Sequence, residues 1–114
     1  MATDWNCYNR DMEISCIQRK CESSNGFTPM QISFDDKGSM TVCAYTGCWE
    51  GIGKVYNDDN YTIIIGHNLK FSTSSTDNMN ADFLIAIDTD DNIAVVKGFT
   101  YAMPMTCEAT EKQQ

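Results

Sequence analysis

Apolar and polar residues alternate along much of this chain with a period of two. In residues 61–71 the apolar stripe occupies the odd positions, Tyr61, Ile63, Ile65, His67, Leu69 and Phe71. Successive side chains of a β-strand point to opposite faces, so this pattern predicts a strand with one buried face. The alternation continues through Gly66, which predicts one long strand that bends there.

Six other segments show the same alternation, and polar or glycine-containing turns separate most of them. They are residues 12–17, 30–34, 40–44, 49–55, 81–87 and 93–101. In the last one we expect Ile93, Val95, Phe99 and Tyr101 to share the buried face. About seven short strands predict an all-β, antiparallel meander. Closure into a small barrel is favoured over the alternative, a β-sandwich, because a barrel leaves no strand edge exposed.

The length of 114 residues fits a single β domain covering 1–114. Residues 1–10 and 108–114 lack a clear alternation, and we expect an irregular N-terminal segment and a short C-terminal tail. The formal net charge of −8 argues against a nucleic-acid partner. No apolar run approaches the roughly 18 residues of a membrane span.

Six cysteines in a chain this small indicate a framework of disulfide bonds. Cys43 and Cys48 flank four residues that could form a hairpin loop, which would place the two cysteines opposite each other. For the rest, Cys7–Cys21 and Cys16–Cys107 are the expected pairs among three possible pairings.

Disulfides indicate an oxidising compartment, so the expected location is secreted or periplasmic, with the cytoplasm as the alternative. The first residues do not form a signal peptide, because they lack both a basic and an apolar segment. A competing interpretation of the repeated Cys-x4-Cys spacing is a structural zinc site formed by Cys16, Cys21, Cys43 and Cys48.

The candidate chemistry is sparse. His67 is the single histidine, and its place in the apolar stripe predicts a core histidine. No nucleophile-elbow motif accompanies it, and no cofactor or metal motif is present. Asp88-x-Asp90-x-Asn92 begins like a calcium loop, but Ile93 stands where such a loop needs glycine, so a solvated turn is expected.

The predicted bend between Cys43 and Cys48 is the one candidate binding surface. Tyr45 and Trp49 are aromatic residues beside the predicted disulfide, and Glu50 follows them. A rigid aromatic loop loses little entropy on binding, which suits recognition of a partner. The alternative is that Trp49 fills the core above Gly51 and Gly53.

The sequence does not determine a function, and three hypotheses follow from it. The first is a non-enzymatic, exported β-barrel that binds another protein, for example as an inhibitor. The second is a carrier of a small apolar ligand in an interior cavity. The third is an enzyme that uses His67 as a general base.

Overall fold

The computed structural model describes residues 2–9, 12–24, 29–44, 47–72 and 79–112. These residues form eleven β-strands and no α-helix. The strands are β1 (Ala2–Tyr8), β2 (Glu13–Ile17), β3 (Lys20–Ser24), β4 (Gln31–Asp35), β5 (Ser39–Ala44), β6 (Gly47–Ile52), β7 (Lys54–Asp58), β8 (Tyr61–Phe71), β9 (Ala81–Asp88), β10 (Ile93–Gly98) and β11 (Tyr101–Lys112). The predicted all-β fold is confirmed.

Eight of these strands form a closed antiparallel barrel. Their order is β1-β4-β5-β6-β8-β9-β10-β11, and β11 then pairs with β1. The first and last strands of the chain therefore close the barrel, with Ala2 opposite Lys112 and Tyr8 opposite Thr106. The predicted barrel is confirmed, and the alternative sandwich is not needed.

The other three strands are attached to this barrel. The β2–β3 hairpin joins β11 where Tyr101 lies opposite Ser15. β7 pairs with the first half of β8, and β6 pairs with its end. The expected seven strands thus become eleven. One predicted strand, 49–55, divides at Gly53 into β6 and β7, because the backbone N–H of Gly53 donates to the carbonyl of Gly38 at 2.7 Å instead of joining a ladder.

The predictions for both ends of the chain are wrong. The N-terminal segment expected to be irregular contains β1, and the expected tail forms the end of β11 up to Lys112. Because these two strands carry many polar side chains, no clear alternation marks them in the sequence. The backbone hydrogen bonds between the two strands hold them in regular structure instead.

The barrel interior is filled by buried apolar side chains. They are Trp5, Cys7, Met30, Ile32, Phe34, Met40, Val42, Trp49, Ile64, Leu69, Phe71, Phe83, Ile85, Ile87, Ala94, Val96, Met103, Met105 and Cys107. Leu69 lies across Gly51, where an added Cβ would come within 2.7 Å of the Leu69 Cδ2 atom. The gap left by this glycine is therefore filled by an aliphatic side chain of a later strand and not by Trp49.

Each disulfide joins two residues that lie directly opposite each other on paired strands. Cys43–Cys48 has the predicted partners, and its Cα atoms are 4.0 Å apart. The other two predicted pairs are wrong, since Cys7 bonds to Cys107 and Cys16 to Cys21. The register explains the correction, because β1 pairs with β11 and β2 with β3. The zinc alternative is also wrong, because no cysteine is free.

The predicted inward face is wrong for most of β8 and for β10. In β8 the buried positions are Ile64 and Gly66, and the stripe from Tyr61 to His67 points outward. A β-bulge between Gly66 and Leu69 then reverses the phase, so that Leu69 and Phe71 are buried as predicted. In β10 the buried residues are Ala94, Val96 and Gly98. Apolar residues occupy both faces of these strands, so alternation could not identify the inner one.

Candidate functional site

Of the predicted binding residues, Trp49 belongs to the core. Its side chain is 3% exposed, and its indole N–H donates to the carbonyl of Met79 at 2.7 Å. Its ring packs against Phe71, Phe83 and Phe99 at centroid distances of 4.6, 5.2 and 5.5 Å. Glu50 is exposed and lies opposite Lys70, and Tyr45 lies outside the described residues. Trp49 and Glu50 therefore do not share one exposed surface.

His67 lies on the surface instead of in the core, on the outward face of β8 that it shares with Ile63 and Ile65, and the bulge begins beside it. Asn68 has a positive φ of 55°, a conformation that asparagine tolerates better than most residues. The His67 side chain is 74% exposed, and its Nδ1 atom lies 3.5 Å from the Oδ2 atom of Asp82 on β9. The prediction of a core histidine is wrong, because it assigned the odd positions of β8 to the interior.

The pKa of Asp82 is lowered from its ordinary value. The backbone N–H of Asn68 donates to its Oδ1 atom at 2.6 Å, and this bond is the main cause that lowers the pKa of Asp82. Desolvation opposes the shift, and His67 adds to it through a hydrogen bond and its charge. A carboxyl group with a lowered pKa is ionised at neutral pH.

Asp82 lines an open groove of about 570 Å³. The lining residues are Ile65, Asn80, Ala81, Asp82, Phe83, Leu84, Lys97, Gly98 and Phe99. Phe99 is 47% exposed, and Trp49 supports its ring from inside. The groove thus combines an apolar wall with one acidic and one basic side chain. None of these lining residues carries a hydroxyl or thiol that could act as a nucleophile.

Beside the groove, the register of β7 to β11 aligns outward side chains in three rows across the five strands. The central row is entirely apolar: Tyr56, Ile63, Ala86, Val95 and Pro104. Val95 is 57% exposed and Tyr56 50%. We refer to these three rows as the outer face, and its centre is a band of apolar side chains open to solvent.

The two flanking rows carry opposite charges. From β7 to β11, one row contains Lys54, Ile65, Leu84, Lys97 and Ala102 in this order, and both lysines are exposed. The other contains Asp58 and Asp88, together with Tyr61, Ile93 and Thr106. The groove opens at the lysine row, because Leu84 and Lys97 belong to both. A second groove of about 360 Å³ lies on the face between β9, β10 and β11.

Neither a metal centre nor a membrane helix is found in the described part of the chain. Residues 2–9, 12–24, 29–44, 47–72 and 79–112 contain no group of three or more His, Cys, Asp or Glu residues arranged to hold a metal ion. The same residues form no helix long and apolar enough to cross a membrane. The outer face, with the charged groove at its edge, is the candidate site that the exposed side chains form.

Sequence reasoning missed this surface because it assigned the apolar odd positions of β8 and β10 to the interior. The run Ile63-Ile64-Ile65 was the available signal, because it puts β-branched side chains on both faces of one strand. The chain matches no protein-family model, no curated protein and no solved structure.

Proposed function

We propose that this chain is a non-enzymatic protein-binding module whose contact surface is the outer face. The supporting observation is the central apolar row, which runs without a polar residue across five strands. A contiguous exposed apolar patch is typical of a site that a partner covers. Full burial of an exposed valine contributes about 1.5–3 kcal/mol, and covering Val95, which is 57% exposed, contributes part of this, so several such contacts together favour association.

The groove adds specificity to this proposed surface. Asp82 and Lys97 stand at its walls, and each favours an opposite charge on the partner. Phe99 is held by Trp49 and Tyr101, at centroid distances of 5.5 and 6.4 Å, so it loses little freedom on binding. An inhibitor is one form that such a module could take, with the groove receiving a side chain of its target.

The compartment belongs to the same proposal. Three disulfides stabilise the chain, and disulfides of this kind persist where thiols are oxidised. We therefore propose that the module acts after export, in a secreted or periplasmic setting.

Two other functions receive less support from the geometry. A carrier needs an interior cavity, whereas buried side chains occupy the barrel interior and the grooves described above open to solvent. An enzyme that uses His67 is favoured by the neighbouring carboxylate of Asp82 at 3.5 Å. Both side chains are largely exposed, however, at 74% and 67%, which leaves the pair hydrated and weakly coupled.

The proposal is tested by placing a charge in the centre of the outer face. Val95→Arg should abolish capture of the partner from extract of the source organism, because an arginine would be desolvated without a counter-charge. Ile17→Arg is the matched control, since Ile17 is 62% exposed on β2, outside the outer face.

Both variants should keep three disulfides by intact mass and the same circular dichroism. Capture of one and the same protein by the wild type and Ile17→Arg, but not by Val95→Arg, supports the outer face. Equal capture by all three proteins would place the binding site elsewhere.

A further inference from the structure

We infer that the partner that the outer face fits is a second copy of this chain, related to the first by a two-fold axis along the central apolar row. This inference rests on the proposed function and names the partner for the same surface. It follows from the arrangement of charges on the flanking rows.

Two identical faces that dock face to face are related by a two-fold axis that lies in the plane of contact. If the axis follows the central row, each flanking row exchanges sides, so the lysine row of one copy lies over the aspartate row of the other. If the axis instead follows the strands, each flanking row lies over the same row of the second copy. Lys54 and Lys97 of one copy then lie over the row that contains the lysines of the other. Like charges in apposition disfavour the second arrangement.

The favoured axis brings specific charges together. Lys54 comes over Asp58 of the second copy, because both residues belong to β7 at equal distances on either side of the central row. Lys97 lies on β10 and Asp88 on the neighbouring β9, so Lys97 is displaced from Asp88 of the second copy by the width of one strand, about 4.8 Å. By symmetry each contact occurs twice. The apolar residues of the central row meet their own counterparts along the axis.

The size of the face indicates a weak and reversible dimer. Five strands at about 4.8 Å and three rows at about 6.7 Å cover roughly 500 Å² per copy. The curvature of the barrel makes this an upper limit, and a standard stable interface buries about 800 Å² per partner. The net charge of −8 on each copy also opposes association. We therefore expect dimers at high micromolar concentration rather than at nanomolar concentration.

The test is sedimentation equilibrium of the oxidised, full-length chain from about 10 μM to about 2 mM at about 0.15 M salt, where charges beyond about 8 Å are screened. The wild type should show a reversible monomer–dimer equilibrium. Val95→Arg should weaken the dimer at least about tenfold, and Ile17→Arg should leave it unchanged.

A charge exchange tests the axis. Lys54→Glu and Asp58→Lys should each weaken the dimer by about threefold to tenfold, since each change affects two symmetric contacts. The double variant with both changes should recover the wild-type dissociation constant, because it restores opposite charges across the interface. Strengthening of the dimer by Lys54→Glu alone would overturn the axis, as would a double variant weaker than either single one.

A wild type that stays monomeric throughout the concentration range would overturn the second copy as partner. The capture experiment with Val95→Arg would still decide the proposed function in that case. Dimers that Val95→Arg leaves intact would instead place the contact away from the outer face.

Discussion

Asp82 accepts a hydrogen bond of 2.6 Å from the backbone N–H of Asn68, and this bond exists because the bulge turns that N–H outward from the β8–β9 ladder. The neighbouring His67, at 3.5 Å, is the lesser cause of the lowered pKa of Asp82. A main-chain group is therefore the main cause of the lowered pKa of Asp82. The sequence marked His67 as a residue to examine, but it could not place the ring outside, because apolar residues occupy both faces of this part of β8.

We predict that His67→Gln leaves the pKa of Asp82 below its ordinary value, because the N–H of Asn68 remains. NMR titration of the Asp82 carboxyl carbon measures this directly. A lowered folded-state pKa means that the interaction stabilises the fold above the unfolded-state pKa and is lost as the pH falls through the folded-state pKa. Asn68→Gly keeps the N–H and serves as the control. A return of the Asp82 pKa to its ordinary range in His67→Gln would contradict this account.

The strand pairs decide which cysteines bond. Cys43 and Cys48 could be paired from the sequence because both flank one short loop. Cys7 and Cys107 are 100 positions apart, and nothing local indicates that β1 and β11 lie side by side. Cys16 and Cys21 face each other across a turn at Gln18 and Arg19, which have positive φ angles of 51° and 69°. Neither residue is a glycine, so the residue types at these positions do not indicate a two-residue turn.

We predict that the three disulfides stabilise the fold unequally. The closed loop of Cys7–Cys107 spans 100 residues and that of Cys43–Cys48 spans 5. Chain entropy then gives roughly 4–5 kcal/mol for the first and roughly 2 kcal/mol for the second. Urea unfolding of Cys7→Ala/Cys107→Ala and of Cys43→Ala/Cys48→Ala, each compared with the wild type, provides the measurement. Equal losses in the two double variants would show that loop length does not govern stability here.

The whole molecule is an eight-stranded barrel with an appended hairpin. The sequence predicted a closed barrel because alternating strands with turns between them need protected edges. It could not predict the order, since β2 and β3 leave the barrel and the chain returns to pair β4 with β1. The pairing of β4 with β1 brings together residues that are distant in the sequence, such as Tyr8 and Gln31. No local sequence pattern indicates such pairs.

We predict that the barrel folds without the β2–β3 hairpin. Asn9 and Met30 are already joined, since the backbone N–H of Asn9 donates to the carbonyl of Met30 at 3.4 Å and the Asn9 side-chain oxygen accepts from the N–H of Met30 at 2.8 Å. Replacing residues 10–29 by a Gly-Gly linker removes Cys16 and Cys21 together, so no unpaired thiol remains. Circular dichroism and urea unfolding should show a cooperative β fold.

Deletion of residues 2–8 is the contrasting variant. It removes a strand that pairs with both β4 and β11 and leaves Cys107 without its partner, so cooperative unfolding should be lost. A hairpin deletion that also abolishes cooperative unfolding would mean that the barrel depends on β2 and β3.

The pairing of the first strand with the last determines how the molecule responds to tension. Ala2 and Lys112 lie side by side, so a pull on the two ends would unzip β1 from β11 one residue pair at a time. After Asn6 parts from Glu108, the covalent bond between Cys7 and Cys107 carries the load. The residues between those two cysteines then bear no load. The stretched molecule can extend further only after the Cys7–Cys107 disulfide is reduced.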